Sequence, residues 1–192
     1  VAEGLKKIIL IKEDSMNLRK VILVAAAAFV LGTGMARADK DMAASKPATS
    51  PEFEKMKSLV GTWSGKCKMG CLKDQDLEVD YKLTAGGTAV LETIAPGTPK
   101  EMTTVYHMEN GKLVMNHYCT MGNCPKMTLK KSSDNELFFE MKGKDGISSA
   151  EEPHMHALDI TWKDPDHISA SWVMYTDGKA NPVVPFVLTR KN

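Results

Sequence analysis

From residue 60 to residue 190, apolar and polar side chains alternate with a period of two, and the alternation is broken at short intervals by turn chemistry. It predicts ten strands, near 60–68, 76–84, 87–94, 101–108, 112–119, 125–131, 136–143, 154–163, 167–175 and 182–190. Between them fall Ala85-Gly86-Gly87, Glu109-Asn110-Gly111, Asp134-Asn135, Asp164-Pro165-Asp166 and Asp177-Gly178, all tight-turn sequences. Short links make consecutive strands antiparallel neighbours. An open sheet of ten strands would leave two bare edges, so the expected fold is all-β, an up-and-down antiparallel barrel. Ahead of it, Ser50-Pro51-Glu52 supplies an N-cap, a proline for the first helical position and an acid for the first turn. Phe53, Met56 and Leu59 follow at three-residue spacing, which predicts a short helix over 51–59, ended by Gly61 and plugging the barrel bottom.

The alternation does not reach the N-terminus. From Met16, the basic pair Arg19-Lys20, the apolar run Val21 to Leu31 and Ala36-Arg37-Ala38 have the three parts of a secretory signal peptide, with cleavage expected after Ala38. The apolar run is short of the roughly 20 residues that a membrane-spanning helix needs. Residues 1–15 then read as a non-native upstream extension, 16–38 as signal peptide, 39–50 as a flexible leader and 51–192 as a single barrel domain. The mature protein is expected in the periplasm or outside the cell, without membrane insertion. Of 25 basic and 24 acidic residues in the chain of 192, those before residue 39 account for six and three. The remaining 19 basic against 21 acidic residues, net −2, leave no footprint for nucleic acid.

The run Leu59-Val60-Gly61-Thr62-Trp63, a short helix leading into G-x-W on the first strand, resembles the opening of lipocalin and fatty-acid-binding calycin barrels. The ten-strand count and Gly61-Thr62-Trp63-Ser64-Gly65 are more similar to nitrobindin-like and lipocalin-like bacterial exported families. So are Thr103-Thr104-Val105-Tyr106-His107 and His117-Tyr118-Cys119. The resemblance spans residues 53–190. It implies a calycin-like barrel in which Trp63, next to Gly61, packs across the bottom against a C-terminal basic residue, here Arg190. Nitrobindins hold haem through a histidine near the C-terminal strand. Residues 182–192 contain none, and His167, the last histidine, opens the preceding strand. Haem is therefore not carried over, and no cofactor is predicted.

In an up-and-down barrel the loops after odd-numbered strands share one end. Cys67, Cys71, His117, Cys119, Cys124, His154 and His156 all fall at that mouth, and His107 and His167 at the other end. Exported cysteines usually pair, and local closure of Cys67 with Cys71 and of Cys119 with Cys124 is the simplest pattern. Redox-active thiols and a soft-metal site, Cu or Zn held by these thiolates and imidazoles, are the competing readings.

Alternation also aligns inward rows: Leu77, Val79, Tyr81 and Leu83; Met102, Thr104, Tyr106 and Met108; His154, His156, Leu158, Ile160 and Trp162; Ile168, Ala170, Trp172 and Met174. The ligand-cavity set is drawn from these: Leu77, Val79, Tyr81, Met102, Thr104, Tyr106, Leu158, Ile160, Trp162, Ala170, Trp172 and Met174. A barrel of ten strands has room for a cavity, and such a wall suits a small apolar or amphipathic molecule. Catalysis is the weakest reading. No nucleophile elbow, zinc-protease or nucleotide motif is present, and no catalytic residue is assigned. Glu92, Glu140 and Asp159 lie mid-strand, where acids in barrels mostly face solvent. The expected function is ligand carriage, with metal binding as the alternative and an unrecognised small-molecule enzyme third.

Overall fold

The computed structural model describes residues 48–67, 75–182 and 184–191. The expected signal peptide and Cys71 lie outside them. The helix α1 spans Pro51–Lys57, followed by β1 Gly61–Cys67, β2 Asp76–Thr84, β3 Ala89–Ile94, β4 Met102–Glu109 and β5 Lys112–Tyr118. Then come β6 Lys126–Ser133, β7 Glu136–Met141, β8 His154–Asp164, β9 His167–Thr176, β10 Lys179–Ala180 and β11 Val184–Arg190. Each strand from β1 to β9 pairs antiparallel with the next, β9 also pairs with β11, and β11 returns to β1. Ten strands thus close a barrel, and β10 is a two-residue addition beside the end of β9. Closure gives each of the ten barrel strands a partner on both edges, which is the reason the meander does not stay open.

Turn chemistry sets the register. Asn110 and Gly111 have φ of 50° and 76°, and Asp177 and Gly178 have 51° and 70°. Positive φ at two successive turn residues matches the twist of a hairpin, and Asn-Gly and Asp-Gly tolerate it.

The Ser50 Oγ accepts a hydrogen bond from the Phe53 N–H at 3.2 Å and caps α1. The helix stops at Lys57, short of the expected Leu59, and Ser58 and Leu59 complete a turn. Phe53, Met56 and Leu59 are fully buried. The Lys55 ammonium donates to the Ser133 and Asp134 carbonyls of the β6–β7 turn, seating the helix at one end of the barrel. There Trp63 is buried and donates from Nε1 to the Leu59 carbonyl at 2.7 Å. Arg190 stands opposite it in register, with its guanidinium 4.2 Å from the ring centroid. The same guanidinium donates to the Val60 and Ser58 carbonyls. Gly61 has φ 131°, and a Cβ there would sit 3.1 Å from Arg190 Nη1, so the clamp requires glycine.

Inside, the expected rows of β2, β4 and β9 are buried through Leu77, Val79, Tyr81, Met102, Thr104, Tyr106, Ile168, Ala170 and Trp172. Leu83 departs from its row and is 41% exposed where β2 outruns the core. The row on β8 is broken by a bulge between Met155 and Ala157. A bulge inserts one residue and reverses the alternation beyond it. Met155, opposite Met174, packs against the core in place of the two histidines, while Leu158 and Ile160 remain buried. His154 and His156 therefore do not share a face with Leu158, Ile160 and Trp162 as alternation alone implied.

Candidate functional site

Four inward polar residues stand directly opposite one another on four successive strands. Tyr81 on β2 pairs with Glu92 on β3, Glu92 with Thr104 on β4, and Thr104 with His117 on β5. All four are buried. Glu92 is the surprise, because a mid-strand acid in a barrel was expected to face water and this one is 2% exposed. Its Oε1 accepts from the Tyr81 hydroxyl at 2.6 Å and its Oε2 from the Tyr106 hydroxyl at 3.0 Å. Thr104 stands opposite Glu92 in register, beside the same carboxyl group. Burial raises the Glu92 pKa, and the Tyr81, Thr104 and Tyr106 hydroxyls oppose that shift. Both phenols are pushed well above their ordinary range, first by burial and then by the neighbouring carboxylate.

The ladder ends at His117. Its Nδ1 lies 3.0 Å from Thr104 Oγ1, and its ring is tilted against Trp172 with centroids 4.5 Å apart. Nε2 is buried and has no hydrogen-bond partner. Burial lowers the His117 pKa to about 4, so the ring is neutral at pH 7. A neutral imidazole nitrogen in an apolar interior can accept a hydrogen bond, ligate a metal ion or take a proton.

Methionines ring this end of the barrel. Met102 lies at the start of β4, Met127 near the start of β6 and Met141 at the end of β7, all buried. Met155 and Met174 face each other on β8 and β9. Met102 also contacts Cys119, with Sδ and Sγ 4.0 Å apart. Above them the segment 142–153 is laced to the β5–β6 connection. The Cys124 and Lys126 N–H groups donate to the Gly146 and Asp145 carbonyls, and the Asn123 side chain donates to Glu152 Oε1 and the Pro153 carbonyl.

The other expected site residues are dispersed. His154 donates from Nδ1 to the Glu152 carbonyl, with Nε2 3.1 Å from His156 Nδ1. His156 in turn stacks on Tyr175 at 3.9 Å. Among the described residues no three of His, Cys, Asp or Glu converge to hold a metal ion, so the wider cysteine–histidine cluster is not assembled. Cys67 is buried at the end of β1, and the Cys119 N–H closes on the Asn123 carbonyl, making Asn123 its partner across the hairpin. No disulfide joins Cys119 to Cys124. Trp162 is half-buried under the Lys55 ammonium and borders a surface depression with Asp134, Asp164 and Arg190, at the helix end and away from His117. Met174 is half-buried as well. His107 and Glu109 lie near the β4–β5 turn, and His167 contacts Asp164 beside the β8–β9 turn, both at the helix end.

No family model matches the chain, and no curated protein matches it.

Proposed function

We propose that the protein is an exported, lipocalin-like barrel that binds a small apolar or amphipathic molecule in its interior, with His117 as the polar handle. The observation that carries this reading is the buried Nε2 of His117, which has no hydrogen-bond partner and lies on the inner wall beside the Trp172 ring. A buried polar atom without a partner costs free energy, and an interior guest can remove that cost. The methionines around it supply flexible thioethers that can repack around an irregular guest. Trp172, tilted against the same imidazole, offers a flat apolar face. Native mass spectrometry of protein exported by its own host tests the reading. A bound organic mass is expected on the wild type and absent from His117→Phe. Wild-type protein that carries no such mass and takes up no apolar probe would refute it.

One observation favours a second reading. The Cys119–Met102 sulfur contact lies one inward pair from Thr104–His117, and two sulfurs with an imidazole suit Cu(I) or Zn. A metal adduct in the same spectra, lost in His117→Phe and in Met102→Leu, would establish it.

A further inference from the structure

His154 and His156 meet nitrogen to nitrogen at the barrel mouth, and one end of the pair is fixed. His154 Nδ1 lies 2.6 Å from the Glu152 carbonyl. A carbonyl oxygen only accepts, so Nδ1 carries a proton whether the ring is neutral or charged. The other nitrogen of that ring, Nε2, lies 3.1 Å from His156 Nδ1. The ring centroids are 5.4 Å apart, so each ring stands back along the line of contact and the two nitrogens face each other. They do not converge on a third point, where a metal ion would have to sit.

Proton counting separates the states that keep this contact from the one that breaks it. With both rings neutral, His154 Nε2 is a lone pair and His156 Nδ1–H donates to it. One added proton also fits, because one ring then donates and the other accepts. A second does not, because two N–H groups then point at one another between two cations. His154 is 2% exposed and tied to the carbonyl, whereas His156 is half-buried and is the inserted residue of the bulge between Met155 and Ala157. His156 is therefore the ring that moves, and its stack on Tyr175, with centroids 3.9 Å apart, goes with it.

The charged and titratable groups on the packed elements do not relieve that meeting. Glu140 on β7 stands opposite Ala157, Tyr175 on β9 stands opposite His154, and Lys179 lies on β10 beside β9. In the segment before β8, the Glu151 carbonyl accepts from the Asp177 N–H, and the Glu152 carboxylate is engaged by Asn123 and the Ser148 N–H. Burial and then His154 lower the His156 pKa, and Glu140 raises it. Glu140 can steady one positive charge on the pair, but it does not separate two opposed N–H groups.

We infer that His154 and His156 form an acid-operated latch at the barrel mouth, closed with no added proton or with one, and opened by the second, which turns His156 away from His154 and off the Tyr175 ring. The latch belongs to the rim and does not depend on a guest in the interior.

Histidine side-chain NMR of the full-length exported protein, acidified through the histidine range, tests it, with the amide signals of β1 to β4 reporting that the barrel stays folded. The pair should protonate in two steps separated by about one pH unit or more, as strongly interacting sites do. Nitrogen-15 shifts should show His154 Nδ1 protonated throughout. The His156 ring protons should keep the upfield shift imposed by Tyr175 through the first step and lose it in the second. In His156→Gln the amide can donate to a neutral His154 or accept from a charged one, so His154 should titrate in a single step. Two rings titrating together without separation, or a His156 that keeps its Tyr175 shift when both rings are charged, would overturn the inference. So would unfolding of the barrel ahead of the second step.

Discussion

Glu92 and His117 stand two strands apart on β3 and β5, and Thr104 on β4 lies opposite both in register. The Thr104 hydroxyl is 3.0 Å from His117 Nδ1, while the Tyr81 and Tyr106 hydroxyls donate to the Glu92 carboxyl. Burying a carboxyl group and an imidazole in a barrel is expensive, and the expense is offset only where each polar atom finds a partner. Glu92 finds the hydroxyls of Tyr81 and Tyr106, and His117 Nδ1 finds that of Thr104. The single open position in this network is Nε2, and any occupant that satisfies it gains both that hydrogen bond and the surrounding apolar contacts.

Acid destabilisation should run through His117. Its pKa is about 4 in the fold against an ordinary value of 6.5. Between those values the unfolded chain binds a proton that the folded ring refuses. Stability from this group is therefore full above pH 6.5 and falls as pH drops towards 4, by roughly 3 kcal/mol at about 1.36 kcal/mol per unit. Urea unfolding across this range should show the fall in the wild type and a shallower one in His117→Phe. Parallel curves for the two proteins would assign the acid slope to other groups.

Glu92 should act in the opposite direction. Burial raises its pKa above the ordinary 4.5, so its proton is held more tightly in the fold than in the unfolded chain. Its contribution to stability is full below pH 4.5 and is lost as pH rises through the folded value. Glu92→Gln does not titrate, so the stability gap between variant and wild type should move in the variant's favour as pH rises from 4.5. A gap that stays constant across that interval would show that Glu92 ionises in the fold as readily as in water.

The alternation of side chains made the strands legible, because a barrel wall has one wet and one dry face and each strand must obey that period. Ser50-Pro51-Glu52 likewise marked the helix start, since capping chemistry is local. Two features were illegible for physical reasons. The bulge between Met155 and Ala157 depends on how β8 meets β9, and nothing within His154-Met155-His156 distinguishes a bulged strand from a regular one. The inward turn of Glu92 depends on two hydroxyls, Tyr81 on β2 and Tyr106 on β4, which no local window contains. Tyr81, Thr104 and Tyr106 did fall on the expected inner rows, but as apolar wall with polar handles. The common target of the two tyrosines became apparent only once the registers of β2, β3 and β4 were known.

The Trp63–Arg190 clamp should carry measurable stability. Arg190 covers the ring and donates to two carbonyls that the end of the helical turn leaves open. Arg190→Lys keeps the charge but loses the planar face and the two-point contact, and should cost about 1–3 kcal/mol in urea unfolding. Gly61→Ala should also destabilise, since φ 131° is unfavourable for any residue with a Cβ and the added methyl meets Arg190 Nη1. An unchanged midpoint in Arg190→Lys would reduce the clamp to a passive contact.

Export should decide the state of the cysteines. If the chain is processed after Ala38, the mature protein begins at Asp39 and meets an oxidising compartment, where four cysteines are expected to pair. Intact mass should then be four hydrogens below that of the reduced protein, with no thiol titrating after denaturation. The fold constrains how Cys119 and Cys124 can join. Cys119 is held to Asn123 across the hairpin and touches Met102, while the Cys124 N–H is tied to the Gly146 carbonyl. Closing either loop gains little chain entropy, because both are short. Alkylation and peptide mapping before reduction should leave all four cysteines unlabelled, and after reduction should label all four. Four reactive thiols in freshly exported protein would remove the disulfides altogether and leave Cys119 beside Met102 as a thiol available to a soft metal.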